Sequence, residues 1–291
     1  MTALPLYRAP EELRAALAPL RARGDLGFVP TMGALHEGHL SLIRASAAHS
    51  ATTVVSVFVN PAQFGPNEDF DAYPRMLQDD IAAAKSAGAD VIFAPDKAGI
   101  YPEPYRTFIE VEEITGTLCG RSRQGHFRGV ATVVWKLLQI VDPDRAFFGA
   151  KDAQQVRVIR QMVRDLLGRW EIVACPTVRE SDGLAMSSRY CYLTNEERAR
   201  AAVILEAVRV AIARIEKGER HAGRIRVAIM ERIEAASLRP DYVDVVSLGD
   251  LAPANEMNGD VLIAVAAFAG TTRLIDNVCI RIGDHVEERL P

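Results

Sequence analysis

Two histidines, His36 and His39, stand three residues apart in the run Pro30-Thr31-Met32-Gly33-Ala34-Leu35-His36-Glu37-Gly38-His39. Rings at that spacing project to one side of a helix as it starts, and Gly38 lets a ligand approach the backbone closely. Amide N–H groups at a helix N-terminus attract phosphate, and two imidazoles there can donate hydrogen bonds to its oxygens. The suggested guest is a nucleoside triphosphate; the plain alternative is a pair of histidines that caps a helix. A zinc site of the His-Glu-x-x-His type needs its histidines four apart with the Glu inside, which this run does not provide, so no metal ligands are expected. The turn also lacks Gly-x-Gly-x-x-Gly, and the chain lacks a Gly-Lys-Ser/Thr ending of the Walker kind. A nicotinamide dehydrogenase and a P-loop kinase are therefore disfavoured.

Further candidates lie along the chain. Gly149-Ala150-Lys151-Asp152 falls between a predicted strand and helix, where Lys151 can hold phosphate as a compact point charge and Asp152 can cap the helix or orient a ligand hydroxyl. Met186-Ser187-Ser188-Arg189 supplies two hydroxyls and a guanidinium, several donors for phosphate oxygens, although Ser-Ser-Arg in isolation reads first as a polar linker. Gln63, after Asn60-Pro61, and Gln155, in the first turn of the helix beyond Lys151, offer donors and acceptors together, which suits a substrate with hydroxyl and carboxylate groups. His126 and Arg128, in a glycine-bounded stretch before a helix, are second-rank cations. Asp79 and Asp80 at a helix start serve the macrodipole, with magnesium as the competing use.

These residues need a frame. From Gly27 to about Val178, short β-rich runs alternate with helical stretches. Strands are expected at Gly27–Pro30, Thr53–Val59, Val91–Ala94, Ala146–Gly149 and Glu171–Cys175, and helices at His39–His49, Leu77–Ala87, Val130–Val141 and Ala153–Leu167. The strands read as near-continuous apolar runs, as strands covered on both faces do. This predicts an α/β fold, a doubly wound Rossmann-like parallel sheet, whose ligands bind at the carboxyl ends of the strands. After Thr194 the pattern changes to two long helices, Asn195–Lys217 and Ala222–Ala236, then strands at Tyr242–Ser247, Val261–Ala267 and Leu274–Ile280, a smaller α+β domain. Thr194 and Glu197 fit a capping box. The predicted division is a nucleotide- and substrate-binding domain over 1–178 and a lid domain over 179–291, with the boundary in the polar stretch Arg179–Arg189.

Composition narrows the partners. With 291 residues, 49% hydrophobic and 25% charged, the chain has an ordinary globular make-up. Its 34 Lys and Arg against 38 Asp and Glu give a net charge of -4, which on average repels a polyanion, so nucleic acid is not the expected partner. The longest apolar stretch, Val261 to Ala269, is about half of the roughly 20 residues a membrane helix needs. The start lacks a basic segment followed by an apolar one, and Glu11 and Glu12 argue against a transit peptide; a cytoplasmic location is expected. The four cysteines are widely spaced with no Cys-x-x-Cys pair, which predicts reduced, mostly buried thiols.

Four stretches in order, PTMGALHEGHLSLI, VVSVFVNPAQFGPNEDFDAYPR, GHFRGVATVVWKLLQIVDPDRAFFGAKDAQQ and VRESDGLAMSSR, carry a resemblance over most of the chain. The first resembles the HxGH signature of the nucleotidylyltransferase superfamily, and together they resemble the pantoate–β-alanine ligases. One departure is Tyr190, where that family usually has Asn; it touches local packing rather than phosphate binding. The resemblance implies an ATP-dependent ligase. Pantoate attacks the α-phosphorus of ATP to give pantoyl adenylate and pyrophosphate, and β-alanine then displaces AMP. It implies that Met32 to His39, Gly149 to Asp152, Val178 through its backbone, and Met186 to Arg189 bind ATP. His39 is then the principal donor to the leaving group, with His36 and Lys151 beside it, and Gln63 and Gln155 bind pantoate. It also implies Mg2+ carried largely by the phosphates, and a homodimer. A carboxylate with a pKa near about 4 is ionised at neutral pH, so the first step needs positioning and charge neutralisation rather than a base. The alternatives are another nucleotidylyltransferase of that superfamily and a nucleotide sensor without turnover.

Overall fold

A computed structural model of the chain describes residues 4–66 and 68–291. In chain order its elements are β1 (Leu6–Tyr7), α1 (Pro10–Arg21), β2 (Leu26–Thr31), α2 (Glu37–His49), β3 (Thr52–Val57), α3 (Leu77–Ser86), β4 (Val91–Phe93), α4 (Lys97–Ile100), α5 (Leu118–Ser122), α6 (His126–Val141), β5 (Arg145–Gly149), α7 (Ala153–Asp165) and β6 (Glu171–Cys175). There follow α8 (Asn195–Ala201), α9 (Val203–Glu216), α10 (Ala222–Ala235), β7 (Arg239–Ser247), β8 (Gly259–Ala269), β9 (Thr272–Ile282) and β10 (Val286–Arg289). Short 3-10 turns occupy Pro61–Gln63, Ala150–Asp152 and Ser188–Tyr192. Two compact units result. Residues 1–111, 123–149 and 155–175 form the first, and 112–122, 150–154 and 176–291 the second.

The first unit is a six-stranded parallel sheet in the order β1-β4-β3-β2-β5-β6, the doubly wound α/β class expected. Its central strands are buried on both faces, with Phe28, Val29, Val54, Val55 and Ile92 fully enclosed. That enclosure explains their unbroken apolar composition. From β2 the chain winds one way through β3 and β4, then returns to lay β5 and β6 on the other side of β2. The switch point therefore falls between β2 and β5, paired at Gly27–Arg145 and Phe28–Ala146. In such sheets the crevice beyond the carboxyl ends at this point takes the ligand. It lies beside Thr31 and Gly149, the residues that lead into the His-bearing run and into Ala150-Lys151.

The second unit is a four-stranded antiparallel sheet, β10-β9-β8-β7. Its core gathers Ile204, Val208, Ile225, Ile229, Val243, Ile263 and Ile280 from helices and strands. The expected long helix over Asn195–Lys217 is two, α8 and α9. At Ala202 the backbone N–H turns to Arg200 O while φ and ψ stay right-handed helical, so no residue type in the sequence marks the break. Thr194 and Glu197 do form the capping box.

Two other departures have physical causes. Helix α1 carries Pro10 at its first position and buries Leu13 and Leu17, spaced one turn apart. Helix α6 starts at His126, four residues before the expected Val130. Gly129, which reads as a breaker, is in fact the point where α6 meets the Pro61–Gln63 turn. A Cβ there would lie 2.1 Å from the Ala62 carbonyl oxygen. Because backbone can absorb such a clash only by shifting, overpacking of this kind costs about 1–3 kcal/mol. Gly129→Ala should therefore lower the calorimetric midpoint by roughly 2–12 °C, and an unchanged midpoint would show that the helix and turn do not press together.

Candidate active site

The run after β2 is held by its own sequence. Thr31 Oγ1 donates to Ser56 O (2.7 Å) and accepts from Gly33 N–H (3.2 Å). Gly33 and Ala34 both take positive φ, 82° and 50°, a conformation that costs alanine energy and must be held from outside. Asp80, at the start of α3, does so. Its two carboxylate oxygens accept from Ala34 N–H (3.1 Å) and Leu35 N–H (2.8 Å). Burial raises the Asp80 carboxyl above the ordinary aspartate range, opposed by those two amide bonds.

Helix α2 then begins with a capping box built from imidazoles in place of the usual Ser and Glu. His36 is the N-cap, and its Nδ1 accepts from Gly38 N–H at 3.1 Å. His39 is the third helical residue, and its Nδ1 accepts from His36 N–H at 3.3 Å. A nitrogen that accepts from an amide is unprotonated, so each neutral ring carries its hydrogen on Nε2. The ring centroids are 4.2 Å apart. The amides of residues 33–36 and 38 are thus bound within the loop, and each imidazole keeps its hydrogen on Nε2. Glu37 pairs with Arg44 on the exposed face of the helix, and that bond lowers its carboxyl from the ordinary range.

Also in the first unit, Asn60 is buried at 1% exposure and sets the orientation of Gln63. Asn60 Oδ1 accepts from Tyr101 OH (2.8 Å) and Ala62 N–H (3.3 Å), and its Nδ2 donates to Gly129 O (3.2 Å) and Gln63 Oε1 (3.0 Å). Gln63 Nε2 is thereby turned out as a donor, against Met32 Sδ at 3.0 Å. A thioether is a weak acceptor, easily exchanged for a substrate oxygen. The carbonyl of Gln63 accepts from His126 Nδ1 (2.9 Å), while His126 Nε2 takes a hydrogen bond from Arg123 (3.0 Å). Arg123 is in turn gripped by Glu68 through Nε (2.6 Å) and Nη2 (2.7 Å). Burial pushes the Glu68 carboxyl up, but Arg123, helped by Gly65 N–H, outweighs it and holds the group at about 2. Arg128 stacks over Phe108, 3.8 Å from the ring centroid, and Asp79 is exposed at the start of α3. Gln155 sits in the first turn of α7, half-buried.

In the second unit, Lys151 Nζ donates to Met186 O at 2.7 Å. Desolvation lowers the Lys151 ammonium from the ordinary lysine range, with Asp152 and Asp276 opposing it. Met186 closes a hairpin by donating its N–H to Val178 O (3.0 Å), and Arg179 bridges Ala185 within it. Ser187 caps the next turn by accepting from Arg189 N–H (3.2 Å), with Ser188 and Arg189 inside that turn. Tyr190 donates to Ala185 O and packs on the core of this unit, which shows how the tyrosine is accommodated. Asp152 is exposed at the end of the Ala150–Asp152 turn. The structure thus pairs Met32 with Gln63 and His36 with His39 in the first unit, and links Lys151, Val178 and Met186 to Arg189 in the second. Residue type and spacing do not single out Asn60, Tyr101, Glu68, Arg123 or the loop-holding use of Asp80. Only the Asn60-Pro61 turn and the Asp79-Asp80 pair left a visible signal.

A doubly wound parallel sheet with a histidine-capped helix at its switch point defines a nucleotide-handling α/β protein. A family model described as pantoate-beta-alanine ligase matches residues 5–279, and the chain belongs to that family. A pantothenate synthetase of Acetivibrio thermocellus is 54% identical over 258 residues, covering 88% of this chain and 92% of that protein. A crystal structure of pantothenate synthetase from Thermus thermophilus superposes with a TM-score of 0.89 at 43% identity, over 94% of this chain and 98% of that one. A Francisella tularensis pantoate-beta-alanine ligase, described as complexed with β,γ-ATP and β-alanine, gives 0.79 at 36% identity over 94% and 97%.

Two outcomes follow from the carboxylates of Asp80 and Glu68. Asp80→Asn keeps the shape but sets an NH2 against a backbone N–H. The ATP–pyrophosphate exchange rate should fall about tenfold or more, the scale of one charge-assisted bond, and an unchanged rate would remove the loop-holding role. The depressed pKa of Glu68 stabilises the fold fully above the ordinary value of 4.5 and is lost as pH falls toward about 2. The destabilisation caused by Glu68→Gln in urea titrations should therefore be largest above pH 4.5 and shrink steadily below it; a difference independent of pH would contradict the pairing.

Proposed function

We propose that this chain condenses pantoate with β-alanine at the expense of ATP, through pantoyl adenylate. The observation that carries the reading is the His36–His39 capping box, in which each Nδ1 accepts from a backbone amide and each ring hydrogen is therefore placed on Nε2, in a chain of the ligase family. In the first step a pantoate carboxylate oxygen bonds to the α-phosphorus and the bond to pyrophosphate breaks. Negative charge grows on the phosphoryl oxygens and the departing group. His39, helped by His36 and by the ammonium of Lys151, donates to that charge. The hydrogens are already in place, so no tautomer change is needed as the barrier is crossed. Gln63, held as a donor by Asn60, and Gln155 orient pantoate. In the second step the β-alanine nitrogen attacks the adenylate carbonyl, the C–N bond forms, the bond to AMP breaks and the amine gives up a proton. His126 is not the acceptor of that proton, since Arg123 and Gln63 engage both its nitrogens.

Met32 to His39, Gly149 to Asp152, the backbone of Val178, and Met186 to Arg189 bind ATP. Residues 1–178 serve as the nucleotide- and pantoate-binding part and 179–291 as a lid. Among the described residues no group of three or more His, Cys, Asp or Glu is placed to hold a metal ion, and both oxygens of Asp80 are engaged by amides. Mg2+ fits this chain as an ion carried in by the phosphates and water, where it neutralises phosphate charge. The protein works in the cytoplasm as a homodimer, a state that sedimentation measures. Among the described residues no helix is long and apolar enough to cross a membrane.

Exchange of labelled pyrophosphate into ATP should depend on pantoate; exchange driven equally by a phosphorylated substrate would point instead to a plain nucleotidylyltransferase. His39→Ala should slow that exchange by about 10² to 10³, and slow amide formation from supplied pantoyl adenylate much less. Equal losses in both steps would remove His39 from the leaving group.

A further inference from the structure

We infer that Asn277, with its neighbour Asp276, is a positioning residue for the ATP-binding elements of the second unit, a role that rests on the ATP site proposed above. Both lie mid-strand in β9, paired with Ala264 and Val265 of β8. Successive side chains of a strand point to opposite faces, so this one dipeptide reaches two segments far apart in sequence. On one side, Asn277 Nδ2 spends both hydrogens on the Ala150–Asp152 turn, donating to Ala150 O (3.1 Å) and Lys151 O (2.7 Å). On the other, Asp276, whose side chain is 2% exposed, binds Arg179 through both oxygens, at 2.7 and 3.0 Å.

Arg179 belongs to the hairpin that ends at Met186. Its Nη1 also donates to Gly183 O (3.1 Å), closing the hairpin tip, and its backbone pairs with Ala185. The Asp276 carboxylate further accepts from Asn277 N–H (2.8 Å), which couples the two supports. Lys151 then joins the held segments by donating to Met186 O at 2.7 Å, immediately before Ser187, Ser188 and Arg189. The ammonium, the Val178 backbone and the start of the Ser-Ser-Arg turn are therefore referred to one rigid strand. Phosphate recognition by a point charge and several hydroxyl donors depends on their mutual spacing, and errors of about 1 Å in such positioning cost about 10²-fold in rate.

The test uses full-length Asn277→Ala and the isosteric Asn277→Asp, which cannot donate to two carbonyls. Each should raise the KM for ATP or lower the pantoate-dependent exchange rate by a combined factor of about 10². The KM for pantoate and the thermal midpoint should stay near the parent values. Combined with Lys151→Ala, either variant should add little, because its effect passes through the same ammonium. If the Asn277 variants keep parental ATP kinetics while Lys151→Ala loses them, the positioning role is overturned and the ATP site stands. If Lys151→Ala itself leaves ATP kinetics intact, the site and this inference fall together. Parallel losses for ATP and pantoate with a lowered midpoint would reveal a purely structural residue and overturn the inference as well.

Discussion

A neutral imidazole has one hydrogen to place, and a backbone amide that donates to one ring nitrogen forces that hydrogen onto the other. At His36 and His39 the constraint is applied twice, by Gly38 and by His36 itself. The helix start and the donor set are thus a single arrangement. The rings satisfy amides that would otherwise be left unpaired at the first turn of α2, and in doing so they fix their own hydrogens on Nε2. A serine and glutamate at the same positions would cap the helix but offer no such pair of N–H groups. The spacing of the two histidines follows from this, since the N-cap and third helical residue are the two that can cap each other.

The first unit also uses its carboxylates to hold other protein groups in place. Asp80 fixes two amides of a loop with left-handed residues. Glu68 holds Arg123, which holds His126, which holds the carbonyl of Gln63. Bonded carboxylates withdrawn from water are costly to leave with one partner missing, so each chain resists the small displacements that would blur the geometry of the His36 loop and of Gln63. The second unit follows the same logic through Asp276 and Arg179.

Much of the frame was legible in the sequence because its signals are periodic and local. The five strands of the first sheet from β2 to β6 announce themselves as apolar runs, and Thr194 with Glu197 gave the start of α8 correctly. The candidate ligand residues were legible because their types are unusual where they stand, as with His36, His39 and Lys151. What was hidden depends on contacts across the chain. Gly129 looks like a helix breaker until the Ala62 carbonyl is placed against it. Asp80 looks like a charge at a helix start until the amides of residues 34 and 35 turn toward it. Asn60 and Tyr101 are 41 positions apart, and nothing local tells that one hydroxyl orients the other's amide. The break at Ala202 leaves no trace in composition because the residue remains helical in its dihedrals.

The interleaving of the two units bears on how the polypeptide acquires its shape. The second unit takes residues 112–122 and 150–154 from within the stretch that builds the first. Gln154 clasps the earlier segment by accepting from Cys119 N–H and donating to Ile114 O and Thr117 O. The Ala150–Asp152 turn meets Asn277 across 127 positions of sequence. The Ala150–Asp152 turn therefore gains its Asn277 bonds only once β9 has been made, and closing so long a loop carries an entropic cost that the finished sheet offsets. The parallel sheet has all its strands by residue 175 and is not subject to that delay. The second unit thus depends on strands that come last in the chain to complete pieces laid down long before.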